Sequence, residues 1–486
     1  MNCARNNAGP LICDIPCQRT PKRNRMHPSA MSETGRRRSR PSRKVKAVNL
    51  DPHLCQQARR ARDARFDGRF FVAVRTTRIY CRPVCPAPAA KEANVVYYPT
   101  AFAAEAAGFR PCLRCRPETA PGAGLWLGTA PTVVRGLRLI DEGALDAGSV
   151  EQLAARLGVT GRHLRRLFLE HAGATPVRIA QTRRLQFAKR LLDETSLPLT
   201  EVAHASGFGS LRRLHAVVQA TYGRSPGQLR LLHAPSSALR LTVHEPYDWS
   251  SLLAFLRARA IPGLEEVDDE RYTRHWEDAT ITVRYAAPHL LLTVAGAAPR
   301  QWPDIVRRTR RLFDAAADPT LINETLAADP LLAPLVAARP GLRVPGAWDA
   351  FEIGVRAILG QQISVAGART LAGRLLASFR KMPSPEQLAD ADLSSIGLPA
   401  ARQQTLRAYA RAVLDGNERL EGIPGIGPWT RAYYAMRALA DPDAFPAGDL
   451  VLRKAAHCTE KELTQRAEAW RPWRAYAAVH LWRSQA

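Results

Sequence analysis

Hydrophobic and polar positions change their spacing several times along the chain, and each change marks a predicted element or domain. Residues 68–75 and 95–98 combine aromatic and β-branched side chains in short runs, which is typical of strands. Residues 130–232 carry apolar positions at helical spacing. Beyond residue 238 strands alternate with helices, which indicates an α+β unit, and from Trp348 onward the pattern is almost wholly helical. The strands predicted in that unit span 239–243, 281–285 and 290–294, and its helices span 249–260 and 302–316.

Two segments of the helical region share one pattern. In the first, apolar residues at 150, 153, 157, 164, 167 and 168 form a helix face that Gly158 interrupts. Ser149 followed by Gln152 is the sequence of a capping box, so we expect a helix to begin there. The same arrangement returns over residues 199–214. The region therefore contains an internal repeat of two helix-turn-helix units.

The charge balance favours a polyanionic partner. The 486 residues hold 70 Lys and Arg against 44 Asp and Glu, a net charge of +26. Nucleic acid is the partner that this excess favours, and a membrane surface is the competing interpretation. No apolar run reaches the roughly 18 residues of a spanning helix, and no signal-peptide pattern follows the basic start. We therefore expect a cytoplasmic protein at the bacterial nucleoid that has no membrane partner.

Residues 1–46 contain twelve Lys and Arg and two acidic residues, without any periodicity. This composition predicts a disordered basic arm. The alternatives are a non-specific tail and a start site further along, at Met26 or Met31. The sequence does not separate these interpretations.

Four of the nine cysteines form two closely spaced pairs. Three residues separate Cys81 from Cys85, two separate Cys112 from Cys115, and 26 lie between the pairs. Four thiolates at this spacing can close a tetrahedron around zinc at about 2.3 Å. The alternative is four unrelated core cysteines, and their clustering favours zinc. A site with four thiolates has no open position, so by itself it is structural.

The first cysteine pair stands in Asp67-Gly-Arg-Phe-Phe-Val-Ala-Val-Arg-Thr-Thr-Arg-Ile-Tyr-Cys-Arg-Pro-Val-Cys, and the second in Ala107-Gly-Phe-Arg-Pro-Cys-Leu-Arg-Cys-Arg-Pro. On these motifs, residues 55–118 resemble the zinc domain of the Ada-type DNA-alkylation sensors. The resemblance implies one zinc per chain, both structural and thiolate-activating, and a Cys81 that accepts a methyl group from a DNA methylphosphotriester. Arg78 replaces a usual Gly, and residues 86–88 are Pro-Ala-Pro where the family often has an Arg.

The second helix-turn-helix segment contains the motif Gly207-Phe-Gly-Ser-Leu-Arg-Arg-Leu. It resembles the end of the AraC-type DNA-binding domain, and the likeness spans about 132–232. Two such units would place recognition helices in successive segments of the major groove. The resemblance implies double-stranded DNA with a promoter operator as partner, and RNA polymerase as a further candidate partner. For each Arg the alternative is a solvated basic face. The candidate DNA-binding residues are Arg162, Arg165, Arg166, Arg212 and Arg213.

Two glycines, Gly425 and Gly427, lie between two predicted helices. Paired glycines let the backbone approach a phosphate, and the following helix offers free N–H groups to it. Phe445-Pro-Ala-Gly-Asp449 follows after a short interval. Together the two motifs resemble the helix-hairpin-helix superfamily of base-excision glycosylases.

Four further motifs extend this resemblance. They are Pro246-Tyr-Asp-Trp-Ser, Arg339-Pro-Gly-Leu-Arg-Val-Pro-Gly, Phe351-Glu-Ile-Gly-Val-Arg-Ala-Ile-Leu-Gly-Gln-Gln-Ile-Ser-Val and Trp470-Arg-Pro-Trp-Arg-Ala-Tyr-Ala. With them, residues 239–486 are similar to 3-methyladenine DNA glycosylase II, the AlkA type. The resemblance implies that the Asp449 carboxylate stabilises positive charge on the sugar, with a helix N-cap as the alternative role. It also implies an aromatic pocket for cationic bases, with core packing as the alternative. The pocket residues are Trp429, Tyr433, Trp482 and Phe255.

Three positions refine the expected activity. Trp429 stands where bifunctional relatives have a Schiff-base Lys, so we expect a monofunctional glycosylase. Gln362 takes the place of an apolar residue that fills the gap left by a flipped base. The segment 415–421 before the hairpin is shorter than in the family, so either residues 400–414 support the hairpin or it is destabilised. The sequence contains no Pro-Cys-His-Arg motif, so an alkylguanine transferase domain is not expected.

The sequence therefore predicts a multidomain chain that is mainly α with α+β units. We expect a glycosylase that excises bases of the 3-methyladenine type, fused to a methylphosphotriester-sensing regulator with methyltransferase activity. The alternative is a transcriptional regulator of the alkylation response whose glycosylase half is impaired. The predicted parts are the arm at 1–46, an Ada-type zinc domain at 47–121, an AraC-type double helix-turn-helix domain at 122–235, an α+β glycosylase N-terminal domain at 236–345 and an all-α helix-hairpin-helix domain at 346–486.

Overall fold

A computed structural model describes residues 52–63, 66–120, 131–141, 143–146, 148–230, 238–417 and 420–485. The basic arm predicted at 1–46 lies outside these ranges. Within them the chain is mainly helical with two small sheets, which confirms the predicted fold class. Of the helices in the described ranges, none combines the length and the apolar composition needed to cross a membrane.

The first domain is a small sheet with two helices. Its elements are α1 (Pro52–Ala61), β1 (Phe71–Val74), β2 (Ile79–Cys81), β3 (Val95–Tyr98), α2 (Ala101–Ala106) and β4 (Arg110–Pro111). The strand order is β3-β1-β2-β4, with β1 antiparallel to both neighbours and β4 parallel to β2. Both strands predicted here, at 68–75 and 95–98, are confirmed. Tyr80 pairs with Pro111, so the residues that follow them, Cys81 and Cys112, emerge side by side.

Seven helices form the next domain, as the helical pattern predicted. They are α3 (Pro131–Asp141), α4 (Val150–Arg156), α5 (Gly161–Ala172), α6 (Pro176–Glu194), α7 (Leu199–Ala205), α8 (Leu211–Tyr222) and α9 (Pro226–Arg230). Ser149 and Gln152 form the predicted capping box at the start of α4. Gly158 has a φ of 69° in the turn between α4 and α5, where glycine is favoured. The pairs α4–α5 and α7–α8 are the two predicted helix-turn-helix units.

A five-stranded antiparallel sheet opens the second half of the chain. Its elements are β5 (Leu239–Thr242), α10 (Trp249–Arg259), β6 (Glu265–Val267), β7 (Arg271–Trp276), β8 (Ala279–Ala286), β9 (His289–Ala295) and α11 (Trp302–Leu312), and the strand order is β5-β9-β8-β7-β6. The strands predicted from residue 239 onward correspond to β5, β8 and β9. β7 was not predicted because its inward positions include Arg274, which is buried between the carboxylates of Glu265 and Glu352.

The remainder is helical, as predicted. The helices are α12 (Pro319–Leu326), α13 (Ala333–Ala338), α14 (Ala350–Leu359), α15 (Val365–Phe379), α16 (Pro385–Ala389), α17 (Ala400–Leu414), α18 (Pro428–Ala438), α19 (Leu450–Ala456), α20 (Glu460–Ala467) and α21 (Arg474–Ser484). One core packs α14 against α17 and α18 and includes Val355, Leu406 and Tyr434. A second core, around the buried Trp470, holds α19, α20 and α21 together.

The second helix-turn-helix unit and the five-stranded sheet share one hydrophobic core. Leu192 and Val202 belong to the same cluster of buried side chains as Leu241. The Arg190 guanidinium also donates a hydrogen bond of 2.5 Å to the Arg240 carbonyl on β5. The predicted domain boundary at residue 235 therefore separates two segments that pack against each other.

Buried polar side chains join the first domain to α6. Glu105 on α2 accepts hydrogen bonds from the hydroxyl of Tyr80, at 2.8 Å, and from the hydroxyl of Thr182 on α6. Burial raises the pKa of Glu105. Arg116 forms a 2.6 Å ion pair with Glu194 at the end of α6. These contacts hold the end of β2, where the cysteine cluster begins, against the helix-turn-helix domain.

Candidate functional site

The four paired cysteines meet at one end of the four-stranded sheet. Cys81 is the last residue of β2, and the backbone N–H of Cys112 donates to the Tyr80 carbonyl at 2.9 Å. Cys85 and Cys115 complete the group, and all four sulfur atoms lie within 4.8 Å of one another. The prediction that the two pairs form one cluster is confirmed.

The cluster has the donor set and the size of a tetrahedral zinc site. Zinc at about 2.3 Å from four thiolates sets the sulfur atoms about 3.8 Å apart, within the observed limit. Cys112 and Cys115 are buried, whereas Cys81 and Cys85 are half-buried, so solvent reaches one side of the cluster. The residues present therefore fit zinc.

Two arginines around this cluster have partners inside the domain. The backbone N–H of Arg82 donates to the sulfur of Cys115 at 3.3 Å, and its guanidinium forms an ion pair with the buried Asp67. Arg78, which replaces a usual Gly, lies between β1 and β2 with a φ of 55°. Its guanidinium packs over the Phe109 ring, 5.0 Å from the centroid. This departure from the Ada pattern is therefore accommodated within the fold.

The candidate DNA-binding arginines lie on the second helix of each helix-turn-helix unit. Arg162, Arg165 and Arg166 are exposed on α5, and Arg212 and Arg213 are exposed on the first turn of α8. Arg165 forms a 2.6 Å ion pair with the exposed Glu151 on α4. A surface ion pair of this kind contributes about 0–1 kcal/mol, so a phosphate can replace it at little cost.

The glycine hairpin packs directly on the helix before it. Gly425 has a φ of 82°, a conformation that favours glycine, and a Cβ built there would overlap with Oγ1 of Thr405 on α17. Nε2 of Gln361 donates to the Gly425 carbonyl at 2.9 Å, and Gly427 is the exposed N-cap residue of α18. The hairpin therefore contacts α17, within the residues 400–414 that the sequence named as its possible support.

Gln362 lies in the turn between α14 and α15, next to this hairpin. It is exposed, with a φ of 58°, and its neighbour Ile363 is 39% exposed. Arg402 donates to the Gln361 carbonyl at 2.8 Å, which holds the turn against α17. The turn therefore presents both a polar and an apolar side chain beside the hairpin glycines.

Asp449 accepts four hydrogen bonds. It is the N-cap residue of α19, and its Oδ1 accepts from the backbone N–H groups of Val451, at 2.9 Å, and Leu452, at 3.0 Å. The indole Nε1 of Trp429 donates to Oδ2 at 2.8 Å, and the Nε1 of Trp482 donates to Oδ1 at 3.1 Å. Asp449 therefore does cap α19, as the alternative role predicted. Two tryptophan side chains from other helices also orient its carboxylate.

Three of the four predicted pocket aromatics form one continuous group beside Asp449. Trp429 and Tyr433, one turn apart on α18, stack with ring centroids 5.1 Å apart and planes 8° from parallel. Trp482 on α21 is tilted against Tyr433, with centroids 6.3 Å apart. All three rings are half-buried, so each keeps part of its surface accessible to solvent.

Phe255, the fourth predicted aromatic, is placed beside two guanidinium groups that the sequence analysis did not single out. Arg259 lies over the Phe255 ring at 3.8 Å from the centroid, and Arg437 lies at 4.9 Å. Arg437 also donates to the Tyr433 hydroxyl at 2.6 Å. Burial alone would raise the pKa of Tyr433, but Arg437 and Arg259 lower it. The signal available in the sequence was the i, i+4 spacing of each Arg from its aromatic partner.

Comparison with protein families assigns three segments. Residues 54–118 match the metal binding domain of Ada, residues 153–231 match a helix-turn-helix domain, and residues 238–349 match the AlkA N-terminal domain. These matches agree with the resemblances drawn from the sequence motifs.

Individual proteins are similar over long stretches. A probable bifunctional transcriptional activator/DNA repair enzyme AlkA from Mycobacterium tuberculosis is 39% identical over 476 residues, covering 89% of this chain and 96% of the relative. DNA-3-methyladenine glycosylase 2 from Escherichia coli is 35% identical, covering 49% of this chain and 94% of that enzyme. The bifunctional transcriptional activator/DNA repair enzyme Ada from Escherichia coli is 35% identical, covering 38% of this chain and 51% of that protein.

Proposed function

The chain belongs to the family of bifunctional transcriptional activators and DNA repair enzymes of the AlkA type. On that premise we propose that its C-terminal half excises bases of the 3-methyladenine type from double-stranded DNA. The chain joins an Ada-like regulator to a DNA-3-methyladenine glycosylase, and its partner is DNA. The observation that carries the proposal is the pair of indole N–H groups that Trp429 and Trp482 donate to Asp449.

Asp449 stabilises the positive charge that develops on the sugar in the proposed reaction. When the bond between C1′ and the base nitrogen breaks, its electron pair leaves with the base and the sugar becomes an oxocarbenium-like cation. A carboxylate in fixed orientation stabilises that cation and positions the water that adds to C1′. The four hydrogen bonds to Asp449 hold it in place before the substrate binds, so no reorientation is needed during the reaction.

Trp429, Tyr433 and Trp482 bind the extruded base in this proposal. Their half-buried faces suit stacking and cation–π attraction to an electron-poor, alkylated base. An indole nitrogen cannot form a Schiff base with C1′, so the enzyme is monofunctional and leaves an abasic site. Gln362 fills the gap that the flipped base leaves in the duplex.

The hairpin holds the DNA backbone. The free backbone N–H groups in the first turn of α18, after Pro428, donate to a phosphate oxygen, and Gly425 keeps the turn close enough for that contact. The packing of Thr405 against Gly425 supports a working glycosylase. It weakens the alternative of a regulator whose glycosylase half is impaired.

The N-terminal half senses damage to the DNA backbone in this proposal. One zinc per chain, held by Cys81, Cys85, Cys112 and Cys115, supplies a thiolate-stabilising charge. The Cys81 sulfur attacks the methyl carbon of a methylphosphotriester, the carbon–oxygen bond breaks, and the phosphate leaves as a diester anion. The solvent exposure of Cys81 on the open side of the cluster supports this assignment.

Loss of thiolate charge at Cys81 reduces its repulsion of DNA phosphates, so methylation strengthens binding. A unit charge 4 Å from another contributes about 1 kcal/mol in bulk water. The helix-turn-helix domain then reads a promoter operator through Arg162, Arg165, Arg166, Arg212 and Arg213, and RNA polymerase is the partner recruited there. Mass spectrometry of Cys81 after incubation with methylphosphotriester DNA, with operator affinity measured before and after, tests the sensor. An unmodified Cys81, or a methylated one without tighter binding, would leave the domain a structural module.

The glycosylase is tested by incubating the intact chain with methylated duplex DNA and measuring free 3-methyladenine. We expect base release, with strand breaks that form only after alkali treatment. If no 3-methyladenine is released from the methylated DNA, the proposed activity is contradicted. Strand breaks that form without alkali would contradict the monofunctional assignment.

A further inference from the structure

The base pocket contains two positive charges that the proposed reaction does not yet use. Arg259 and Arg437 both lie within 5 Å of the Phe255 ring centroid. Among the described residues, no salt bridge joins either guanidinium to a carboxylate. Arg437 donates to the carbonyls of Pro345 and Gly346, at 2.7 and 2.8 Å. Carbonyls orient a guanidinium but do not neutralise it, so a positive charge remains beside Phe255.

These two side chains are fixed in place. Arg437 is 4% exposed and is held by the two carbonyls and by the Tyr433 hydroxyl. The Arg259 guanidinium donates to the Phe255 carbonyl at 3.2 Å and lies 3.8 Å from the centroid of the Phe255 ring. A charge held this way is preorganised, so it acts on a ligand without the cost of ordering a flexible chain.

Asp449 and the guanidinium groups lie at opposite ends of the aromatic group. Trp429 donates to Asp449 and stacks on Tyr433, and the Tyr433 hydroxyl in turn contacts Arg437. The chain of contacts therefore runs from a carboxylate, across two rings, to a cation. A nucleotide with its sugar at Asp449 would direct its base toward Arg259 and Arg437.

We propose that Arg259, supported by Arg437, is a specificity-determining residue that favours the release of uncharged bases, whose leaving group is an anion. The inference rests on the proposed glycosylase function. When the bond from C1′ to an uncharged base breaks, the electron pair leaves with the base, which becomes negative while the sugar becomes positive. The guanidinium stabilises the first charge and Asp449 the second, and the base then takes a proton from water.

A cationic base places different demands on the same pocket. An N-methylated purine carries a positive charge before cleavage and leaves neutral, so Arg259 repels it in the bound state and has little effect on it in the transition state. Measured from free enzyme and free DNA, Arg259 therefore stabilises the transition state for uncharged bases but not the one for cationic bases, and the difference appears in the second-order rate constant of base release. The ratio of the release rates of uncharged and cationic bases therefore depends on Arg259.

The test compares duplexes that contain hypoxanthine, an uncharged base, or N7-methylguanine, a cationic one, by the second-order rate constant of base release, measured in single turnovers with the enzyme well below saturation. Arg259→Met keeps most of the side-chain volume over Phe255 and removes the charge, whereas Arg259→Lys keeps a positive charge. We expect the Met variant to lower hypoxanthine release at least about tenfold while N7-methylguanine release stays within about threefold. The Lys variant should restore part of the hypoxanthine rate.

The outcomes separate this inference from the proposed function. Equal losses on both duplexes would assign Arg259 a structural role and overturn the inference. A wild-type chain that releases neither base would instead overturn the proposed glycosylase activity. Thermal unfolding of both variants identifies a folding defect. If the Met variant unfolds early, the ratio of its two rates still decides, because misfolding lowers both rates together and leaves their ratio unchanged.

Discussion

Nε1 of Trp429 lies 2.8 Å from Oδ2 of Asp449, so the hairpin helix and the N-terminus of α19 are joined at the carboxylate itself. The resemblance to the glycosylase superfamily implies that bifunctional relatives have a lysine at this position. In the proposed function, Trp429 therefore excludes a Schiff base and also orients the carboxylate that stabilises the sugar.

Trp429→Phe tests the contribution of this hydrogen bond. The phenyl ring retains stacking on Tyr433 but cannot donate to Asp449. A hydrogen bond to a charged group contributes about 1.5–3 kcal/mol, so we expect base release to fall roughly 10- to 100-fold in single-turnover assays. Trp482→Phe, which loses the longer 3.1 Å bond, is the matched comparison and should show a smaller loss. Full activity of Trp429→Phe would show that the indole serves only as a stacking surface.

Metal content tests the cysteine cluster. The purified chain should carry one zinc, and Cys112→Ala should lose it together with the stability of the first domain, because three thiolates leave the tetrahedron open. Cys458→Ala is the control, since Cys458 lies outside the cluster and its sulfur donates to the Ala456 carbonyl. Stoichiometric zinc in the Cys112 variant, measured by elemental analysis, would argue against the assigned ligands.

Substitution of the hairpin glycines tests whether the stability of the hairpin depends on its packing against α17. Gly425→Ala places a Cβ against Oγ1 of Thr405 at a φ of 82°, so we expect a loss of about 1–3 kcal/mol in unfolding free energy. Gly427→Ala meets no atom within 4 Å and should leave the stability near that of the wild type. Denaturant titration compares the two. Equal stability of both variants would mean that the hairpin does not depend on its packing against α17.

The strands and helices with a regular apolar period, and the four-cysteine cluster, could be predicted from the sequence because their signals are local. β7 could not, because Arg274 occupies an inward position and its charge is compensated by Glu352, 78 residues away. The two guanidinium groups beside Phe255 were missed for the same reason. Arg437 is fixed by the carbonyls of residues 345 and 346, which only the folded chain brings near.

Asp314 should make stability depend on pH. Burial raises the pKa of this carboxyl from 3.8 to about 6, although Arg343 and a 2.7 Å hydrogen bond from the Tyr476 hydroxyl oppose the shift. Between these two values the folded chain keeps a proton that the unfolded chain has released. The contribution of Asp314 to stability is therefore present at low pH and is lost as the pH rises through 4 to 6.

Asp314→Asn should remove this loss, because the amide is neutral at every pH and still accepts from Tyr476. The variant should gain stability relative to the wild type as the pH rises from 4 to 7, by up to about 3 kcal/mol. Thermal unfolding at several pH values measures the difference. A difference that is constant with pH would contradict the assignment of a raised pKa to Asp314.

Asp449→Asn tests the central claim most directly. The amide keeps an oxygen that can accept from the backbone of α19, but it cannot stabilise a positive charge on the sugar. Release of 3-methyladenine from methylated duplex DNA should fall below detection, whereas DNA affinity, which depends on the hairpin backbone, should stay within a few-fold of the wild type. Base release at the wild-type rate in this variant would contradict the catalytic role of Asp449 and the mechanism built on it.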